Sequence, residues 1–484
     1  MKLYVIGNGF RYELENICRL FFPFEKIEVS DTLEAAQEDF FAAAEVEGTV
    51  LSVRLKKGDF DRIDRRDIGV QPDDEVERML AVMLYELMCL LTGMRPQWGI
   101  LTGVRPGKLM RRMAEQMGED GARRYFSEKL LCSDKKIDLV YEAAQNEEKI
   151  IATSRPDHFS LYLSVPFCPT RCSYCSFVSH SVERSMKLVD EYVRLLCLEL
   201  EATGKIAREQ GLRLSTVYIG GGTPTTLSAE QLKTVMTTVA DNFDVGIATE
   251  YTVEAGRPDT VTAEKLDAIM AGGATRISIN PQTLNDRVLE AIGRRHTSQQ
   301  TLEAFRLARS RGFDNINMDL IAGLPLDTDE SFNATLDGVL ALSPESVTVH
   351  TLSLKRASRM TMGGDLPEAE AGALADRMLT DANRRLCGAD YRPYYLYRQS
   401  KTVGNLENTG YAKKGYESLY NIFIMDETHS ILACGASAVT KLRSADGYIE
   451  RVFNFKYPYE YISRFDEIIS RKGAIADFYK RYPI

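Results

Sequence analysis

Ser160-Leu161-Tyr162-Leu163-Ser164-Val165-Pro166-Phe167-Cys168-Pro169-Thr170-Arg171-Cys172-Ser173-Tyr174-Cys175 is the stretch on which the fold turns. Its first half, Ser160–Phe167, is a mostly apolar run of strand length. Its second half packs three thiols into one tight loop with the spacing C-x3-C-x2-C. With nine cysteines in 484 residues, chance alone supplies such a triplet about 0.003 times, so the spacing carries information. Three thiolates on one loop can hold three irons of a 4Fe–4S cube, leaving the fourth iron without a cysteine, unlike the four-cysteine electron carriers. The open iron is then a position for a chelating ligand. A structural zinc site completed by His180 satisfies the same spacing.

Outward from this loop the chain alternates regularly. Strand-like runs recur at Ser215–Ile219, Tyr251–Ala255, Arg276–Ile279, Asn315–Ile321 and Ser346–Leu354, separated by helical patterns near 184–208, 228–242, 262–272, 298–311 and 329–342. Six such units predict a parallel sheet, which a doubly wound sheet and a partial (β/α) barrel both satisfy. Either fold collects chemistry at the C-terminal ends of its strands. Strand two runs into Gly220-Gly221-Gly222-Thr223-Pro224-Thr225, where glycine lets backbone groups approach a ligand. Strand three ends at Glu254, strand four at Gln282, and strand five carries Asp319 before Gly323-Leu324-Pro325. A carboxylate at a strand end accepts hydrogen bonds from an ammonium or a ribose diol. Singly, each of these residues also reads as a turn or helix-capping residue. Their shared location makes them a set.

The flanks read differently. Residues 1–150 form an N-terminal α/β accessory domain, with strands at Lys2–Ile6 and Thr49–Leu55, a helix over Glu75–Leu91, and a charged helix over 119–150 as linker. Residues 151–365 form the alternating core. Residues 366–484 form a region that covers the substrate, with a long helix, a Tyr-rich strand over 391–399 and a smaller mixed part. The net charge of −9 gives no global attraction to nucleic acid. An odd cysteine count in a long chain, with no signal-peptide pattern, fits a reducing cytoplasm. Cys18, Cys89, Cys132, Cys197, Cys387 and Cys434 read as buried and inert. The most apolar stretch, Met79–Met94, contains Glu86 and is shorter than the roughly 20 residues of a membrane span.

The cysteine loop resembles the cluster motif of the radical S-adenosylmethionine (SAM) superfamily. The span from 158 to 440 resembles the oxygen-independent coproporphyrinogen III oxidase-like proteins, or coproporphyrinogen dehydrogenases. Trp98-Gly99-Ile100-Leu101-Thr102-Gly103-Val104-Arg105-Pro106 and Gly404-Asn405-Leu406-Glu407-Asn408 resemble the HemZ-like branch. The resemblance implies an α/β fold with a partial (β/α)6 TIM-like barrel, an extra N-terminal α/β domain and a smaller C-terminal α+β region. It implies a 4Fe–4S cluster on Cys168, Cys172 and Cys175, with SAM chelating the fourth iron. Tyr162, Gly221, Gly222, Thr223, Glu254, Gln282, Arg294 and Asp319 would contact SAM, and Ser353 and Val439 more weakly. Asp319 would take the ribose hydroxyls and Arg294 the carboxylate, while Tyr174 matches a position near a second SAM. This chain has Ser164 where the best-known members have histidine, and Asn280-Pro281-Gln282 in place of Gly-Val-Gln. Its first 150 residues do not resemble the classical short arm.

In that family a 5′-deoxyadenosyl radical removes a hydrogen atom from a propionate β-carbon. Loss of CO2 and of one further electron leaves a vinyl group, and two such events give protoporphyrinogen IX. A reducing partner such as flavodoxin or ferredoxin is implied. A tetracarboxylate substrate needs cations, and Lys355, Arg356 and Arg359 follow strand six. The stretch 384–414 holds seven basic residues against two acidic ones, interleaved with tyrosines. Arg356 or Arg398 is the expected grip on a propionate. Two other functions occur among such proteins: a haem-binding chaperone, and a radical SAM enzyme that methylates or degrades haem.

Overall fold

The computed structural model describes residues 1–32, 39–175, 180–353, 368–399 and 401–484. The N-terminal region folds as β1 (Lys2–Ile6), α1 (Arg11–Phe21), β2 (Glu28–Ser30), β3 (Phe40–Glu47), β4 (Val50–Lys57), β5 (Phe60–Asp67) and α2 (Asp73–Thr92), with sheet order β2-β1-β3-β4-β5. β4 alternates as a half-buried strand should: Leu51, Val53 and Leu55 are buried in the core, and Ser52, Arg54 and Lys56 point away from it. The charged β5 is the sheet edge, where its polar residues discourage further pairing. β3 and β5 carry too little apolar alternation to be evident beforehand. The helix expected over 119–150 is divided instead. α3 (Pro106–Arg124) is kinked at Gly118 (φ 74°), a π-helical turn follows at Tyr125–Lys129, and α4 (Asp134–Ile151) starts anew.

The second unit contains β6 (His158–Val165), β7 (Phe167–Cys168), β8 (His180–Ser181), α5 (Val182–Glu209), β9 (Arg213–Gly221), α6 (Ala229–Asn242), β10 (Glu250–Glu254) and α7 (Ala263–Ala271). It continues through β11 (Arg276–Ser278), α8 (Asp286–Ala291), α9 (Ser298–Ser310), β12 (Ile316–Ala322), α10 (Asp329–Leu342) and β13 (Ser346–Thr351). Six strands, β6 and β9 to β13, pair in parallel in chain order. This is the partial (β/α)6 barrel of the sequence reading. Helix starts match that reading because they are chemically marked: Ser228, Thr297 and Thr328 each close a capping box with the residue three positions on.

The rest of the chain extends the same sheet. After α11 (Glu368–Gly388) come β14 (Arg392–Arg398), β15 (Glu407–Ala412), α12 (Leu419–Asp426), β16 (Ser430–Cys434), β17 (Val439–Arg443), β18 (Ile449–Phe453), α13 (Pro458–Ser463) and α14 (Phe465–Arg481). β15 pairs antiparallel with β13 on one side, and β16 pairs parallel with β6 on the other. The result is an open sheet of eleven strands, order β14-β15-β13-β12-β11-β10-β9-β6-β16-β17-β18.

Period-two alternation divides the barrel strands between two environments. Leu161, Leu163, Val217, Ile219, Val253, Ile277, Met318, Leu320, Val347 and Val349 form the apolar core under the helices. The alternate residues face inward and are polar or aromatic. Tyr162 and Tyr218 stack with Tyr420 of α12, with Tyr218 and Tyr420 centroids 4.4 Å apart. α12 closes the floor of the barrel. The Glu250 carboxylate at the start of β10 accepts from Leu419 N at 2.7 Å and Ser418 Oγ at 3.0 Å, capping that helix with negative charge. Among the described residues no helix is long and apolar enough to cross a membrane.

Candidate functional site

The chain turns out of β6 at Pro166 and enters the cysteine loop above the strand ends. A cavity of about 300 Å³ opens there, lined by Cys168, Cys172 and Cys175 on one side. Cys168 is nearly buried and receives a hydrogen bond from Thr223 Oγ1 at 3.4 Å. Two buried guanidiniums back the loop. Arg257 donates to Cys172 Sγ at 3.7 Å and to Thr170 Oγ1 at 3.0 Å, and is itself braced by Asp259. Arg294 donates to the carbonyls of Asn280 at 2.8 Å and Gly256 at 3.2 Å, and to the Tyr174 hydroxyl at 3.2 Å. Arg257 and Thr223 thus bring N–H and O–H donors against two of the three sulfur atoms. Among the described residues, no three His, Cys, Asp or Glu side chains stand at the spacing of a single-ion site. The donor set fits a 4Fe–4S cluster held by three thiolates.

The glycine loop forms the next wall. Gly221 has φ +105°, and a Cβ on Gly222 would lie 2.6 Å from Phe167 O and 2.9 Å from Val165 O. Those carbonyls accept from Thr223 N and Gly222 N, both at 2.8 Å, so the backbone cannot easily retreat. Gly222→Ala is therefore expected to shift the loop and weaken SAM binding by about tenfold or more, read by equilibrium dialysis of reconstituted protein. Unchanged affinity would remove this loop from the site.

The strand-end polar groups line the same cavity. Tyr218 donates to Glu254 Oε1 at 2.5 Å, and burial pushes the Glu254 carboxyl up to about 7. Burial would also raise Asp319, but His350, 3.7 Å away, together with Asn317 and Thr348, outweighs it and holds Asp319 below the usual carboxylate range. Gln282 sits in left-handed backbone (φ 65°), fixed by bonds of its own N to Asp319 O and of Ile321 N to its carbonyl. Its side-chain Oε1 is buried on the cavity wall with no partner among the described residues, an acceptor suited to a ligand hydroxyl or N–H group.

The cavity thus brings together Cys168, Cys172, Cys175, Tyr174, Gly221, Gly222, Thr223, Glu254, Gln282, Arg294, Asp319 and Ser353. Tyr162 lies lower, in the tyrosine stack inside the barrel, two residues before Ser164 on β6. Val439 begins β17, beyond β16. Neither lines the cavity. Lys355 and Arg356 lie outside the described residues. Arg398 does not point into the cavity: its guanidinium donates to the carbonyls of Leu101 and Asn405 and lies 5.4 Å from the Trp98 ring centre. The residues before and after it, Tyr397 and Gln399, do line the cavity. Strand alternation is the reason. Sequence reasoning missed Arg257 and His350, although Arg257 falls two residues after the predicted strand Tyr251–Ala255 and His350 lies within the predicted strand Ser346–Leu354.

The sequence profile of the Radical SAM superfamily matches residues 162–339. The oxygen-independent coproporphyrinogen-III oxidase-like protein HemZ of Bacillus subtilis (strain 168) is 36% identical over 449 residues, covering 92% of this chain and 89% of that protein. The heme chaperone HemW of Escherichia coli (strain K12) is 30% identical over 62% of this chain and 74% of its own length. HemW of Bacillus subtilis is 38% identical, over 40% of this chain and 50% of its own length. Among solved structures, coproporphyrinogen III oxidase (HemN) from Escherichia coli, described as a radical SAM enzyme, superposes with a TM-score of 0.52 at 24% identity, covering 66% of this chain and 71% of its own. That likeness establishes the fold. Because the match to HemZ runs nearly the full length of both proteins, the chain belongs to the radical SAM superfamily, in the family of the oxygen-independent coproporphyrinogen-III oxidase-like proteins.

Proposed function

We propose that the chain is an oxygen-independent coproporphyrinogen dehydrogenase, converting two propionates of coproporphyrinogen III to vinyl groups with loss of two CO2. The observation that carries this is one cavity whose lining combines the three thiols and two guanidiniums with the strand-end carboxylates and with Tyr397 and Gln399 at the end of β14. The tetrapyrrole would lie against the last two, beside the cofactor site. Cys168, Cys172 and Cys175 would hold the cluster. With SAM bound, the cluster supplies one-electron cleavage of a carbon–sulfur bond and hence hydrogen-atom abstraction. Gly221, Gly222 and Thr223 would offer backbone groups to the SAM amino group, with Glu254 and Gln282 beside them. Asp319 would accept from the ribose. The Arg294 N–H groups that now meet Tyr174 would meet the SAM carboxylate. Tyr174 would lie near a second SAM, and Tyr162 would act only through Tyr218, on which it stacks and which donates to Glu254. The substrate loses one hydrogen atom, one CO2 and one further electron per propionate. A flavodoxin- or ferredoxin-like protein is the proposed donor to the cluster, in a reducing compartment.

Glu254 gives this assignment a pH signature. Its folded pKa of about 7 lies above its ordinary 4.5. Stability from the buried neutral form is present below pH 4.5 and is lost as pH rises to about 7. The N–H donors of SAM's amino group prefer the ionised carboxylate, so SAM affinity should rise through pH 7 and level off about one unit above it. Glu254→Gln should flatten that profile, as read by binding titrations across pH.

Anaerobic incubation of reconstituted protein with SAM, a reductant and coproporphyrinogen III tests the function by mass spectrometry. Loss of two CO2 is expected. The HemW relatives favour a second reading, a haem-binding chaperone. Stoichiometric haem capture with an unchanged tetrapyrrole would support it, and gain of a methyl group would instead indicate a transferase.

A further inference from the structure

A second cavity, of about 480 Å³, lies where α1 meets the segment around Arg398 and Asn405. We propose that it receives a carboxylate arm of the tetrapyrrole whose reacting edge occupies the central cavity, making the N-terminal region part of the substrate site. The inference rests on the dehydrogenase reading above, and it assigns a role to a region that otherwise has none.

The first observation is charge. Among the described residues the walls carry Arg19, Arg398 and Lys401, and no aspartate or glutamate. Arg398 is buried, its N–H groups meet only the neutral carbonyls of Leu101 and Asn405, and among the described residues no carboxylate pairs with it. The nearby Glu407 is engaged by Lys136 and Trp98 instead. A guanidinium held against neutral oxygens at a solvent-connected cavity attracts an anion. Arg19 pairs with Glu15 along α1, a half-exposed helix pair that is weak in water and easily exchanged for a ligand carboxylate.

The second observation is the helix pattern. Tyr12, Asn16 and Arg19 recur at helical spacing and form one stripe on the cavity, while Leu14, Ile17, Cys18 and Phe21 fill the core behind. The third is continuity. β14 turns Tyr397 to the central cavity and Arg398 to the second, and Gln399 lines both. The walls are pinned across the joint, by Asn405 Nδ2 to Leu20 O and by Arg398 N to Val104 O, each 2.8 Å. In the proposed reaction two of four propionates keep their charge. A cationic cavity set off from the thiol loop holds one of these away from hydrogen abstraction.

The test uses the reconstituted full chain titrated with coproporphyrin III, the stable oxidised form of the substrate, by absorbance. Arg19→Gln with Lys401→Gln should weaken binding at least about tenfold, since each charge-assisted hydrogen bond is worth roughly that factor. The same double variant should bind SAM, and the uncharged tetramethyl ester of the porphyrin, as the parent does. Arg19→Lys with Lys401→Arg, which keeps both charges, should retain most affinity and shows that folding is intact. If the parent binds coproporphyrin III and the glutamine double variant binds within twofold of it, the cavity assignment is overturned and the dehydrogenase reading stands. If the parent binds no porphyrin at all, both fall.

Discussion

Cys172→Ala is expected to purify with little cluster iron, to lack the brown colour of the parent, and to cleave SAM at less than about one-thousandth of the parental rate, a loss of some 4 kcal/mol or more in effective barrier. The expectation comes from the absence of substitutes. Cys18, Cys132 and Cys434 are buried, and burial pushes each thiol up to about 12. Cys132 donates to Trp98 O, and Cys434 packs against Thr203. Cys89, Cys197 and Cys387 are half-buried on helices away from the cavity, and burial raises their pKa values too. Cys172 sits in a half-exposed loop, so its loss leaves the thermal midpoint of the apo protein nearly unchanged. Iron and sulfide analysis with 5′-deoxyadenosine quantitation decides the matter. A full complement of iron in the variant would falsify the ligand assignment.

Glu407→Ala should be the most damaging substitution outside the site, at about 3–5 kcal/mol. Glu407 is 1% exposed and accepts from Lys136 Nζ at 2.6 Å and from the Trp98 indole at 2.8 Å. Lys136, also buried, has Asp376 at 3.2 Å as its second partner. Removing Glu407 leaves the buried ammonium with Asp376 alone and the indole N–H without its acceptor, whereas Lys136→Met combined with Glu407→Leu removes both charges and should recover part of the loss. Urea unfolding of the two variants measures the difference. Equal losses in both would mean that charge pairing is not what holds the joint.

The barrel was legible because every one of its cues is local. Alternating apolar residues mark the strands, Ser228, Thr297 and Thr328 mark the helix starts, and the thiol spacing marks the loop. What was illegible is non-local. The pairing of β16 with β6 joins residues about 270 apart, and no periodicity announces it. Arg398 reads as a substrate ligand because basic and aromatic residues crowd its neighbourhood, and strand parity decides which cavity it meets: its side chain turns from the central one towards Trp98 and the second. The two phrases that marked the HemZ-like branch, around Trp98 and Glu407, turn out to be the two halves of one contact. Their types were readable, but their meeting was not. The same holds for the tyrosine stack, whose third ring comes from α12, some 200 residues beyond Tyr218.

Leu396, on β14 of the barrel sheet, packs in the hydrophobic core of the N-terminal region, and Glu147 of α4 bonds its backbone nitrogen at 3.2 Å. Arg111 of α3 pairs with Glu147 and with Asp426 of α12. The accessory region is therefore not a detachable module. A gene fragment starting near residue 152 would translate into a sheet with a bared leucine, with Asp426 without its arginine, and with Asp376 and Glu407 without their lysines. Such a fragment should accumulate as inclusion bodies rather than as a trimmed enzyme, and grafting the N-terminal region onto a shorter relative would require rebuilding the acceptor strand as well.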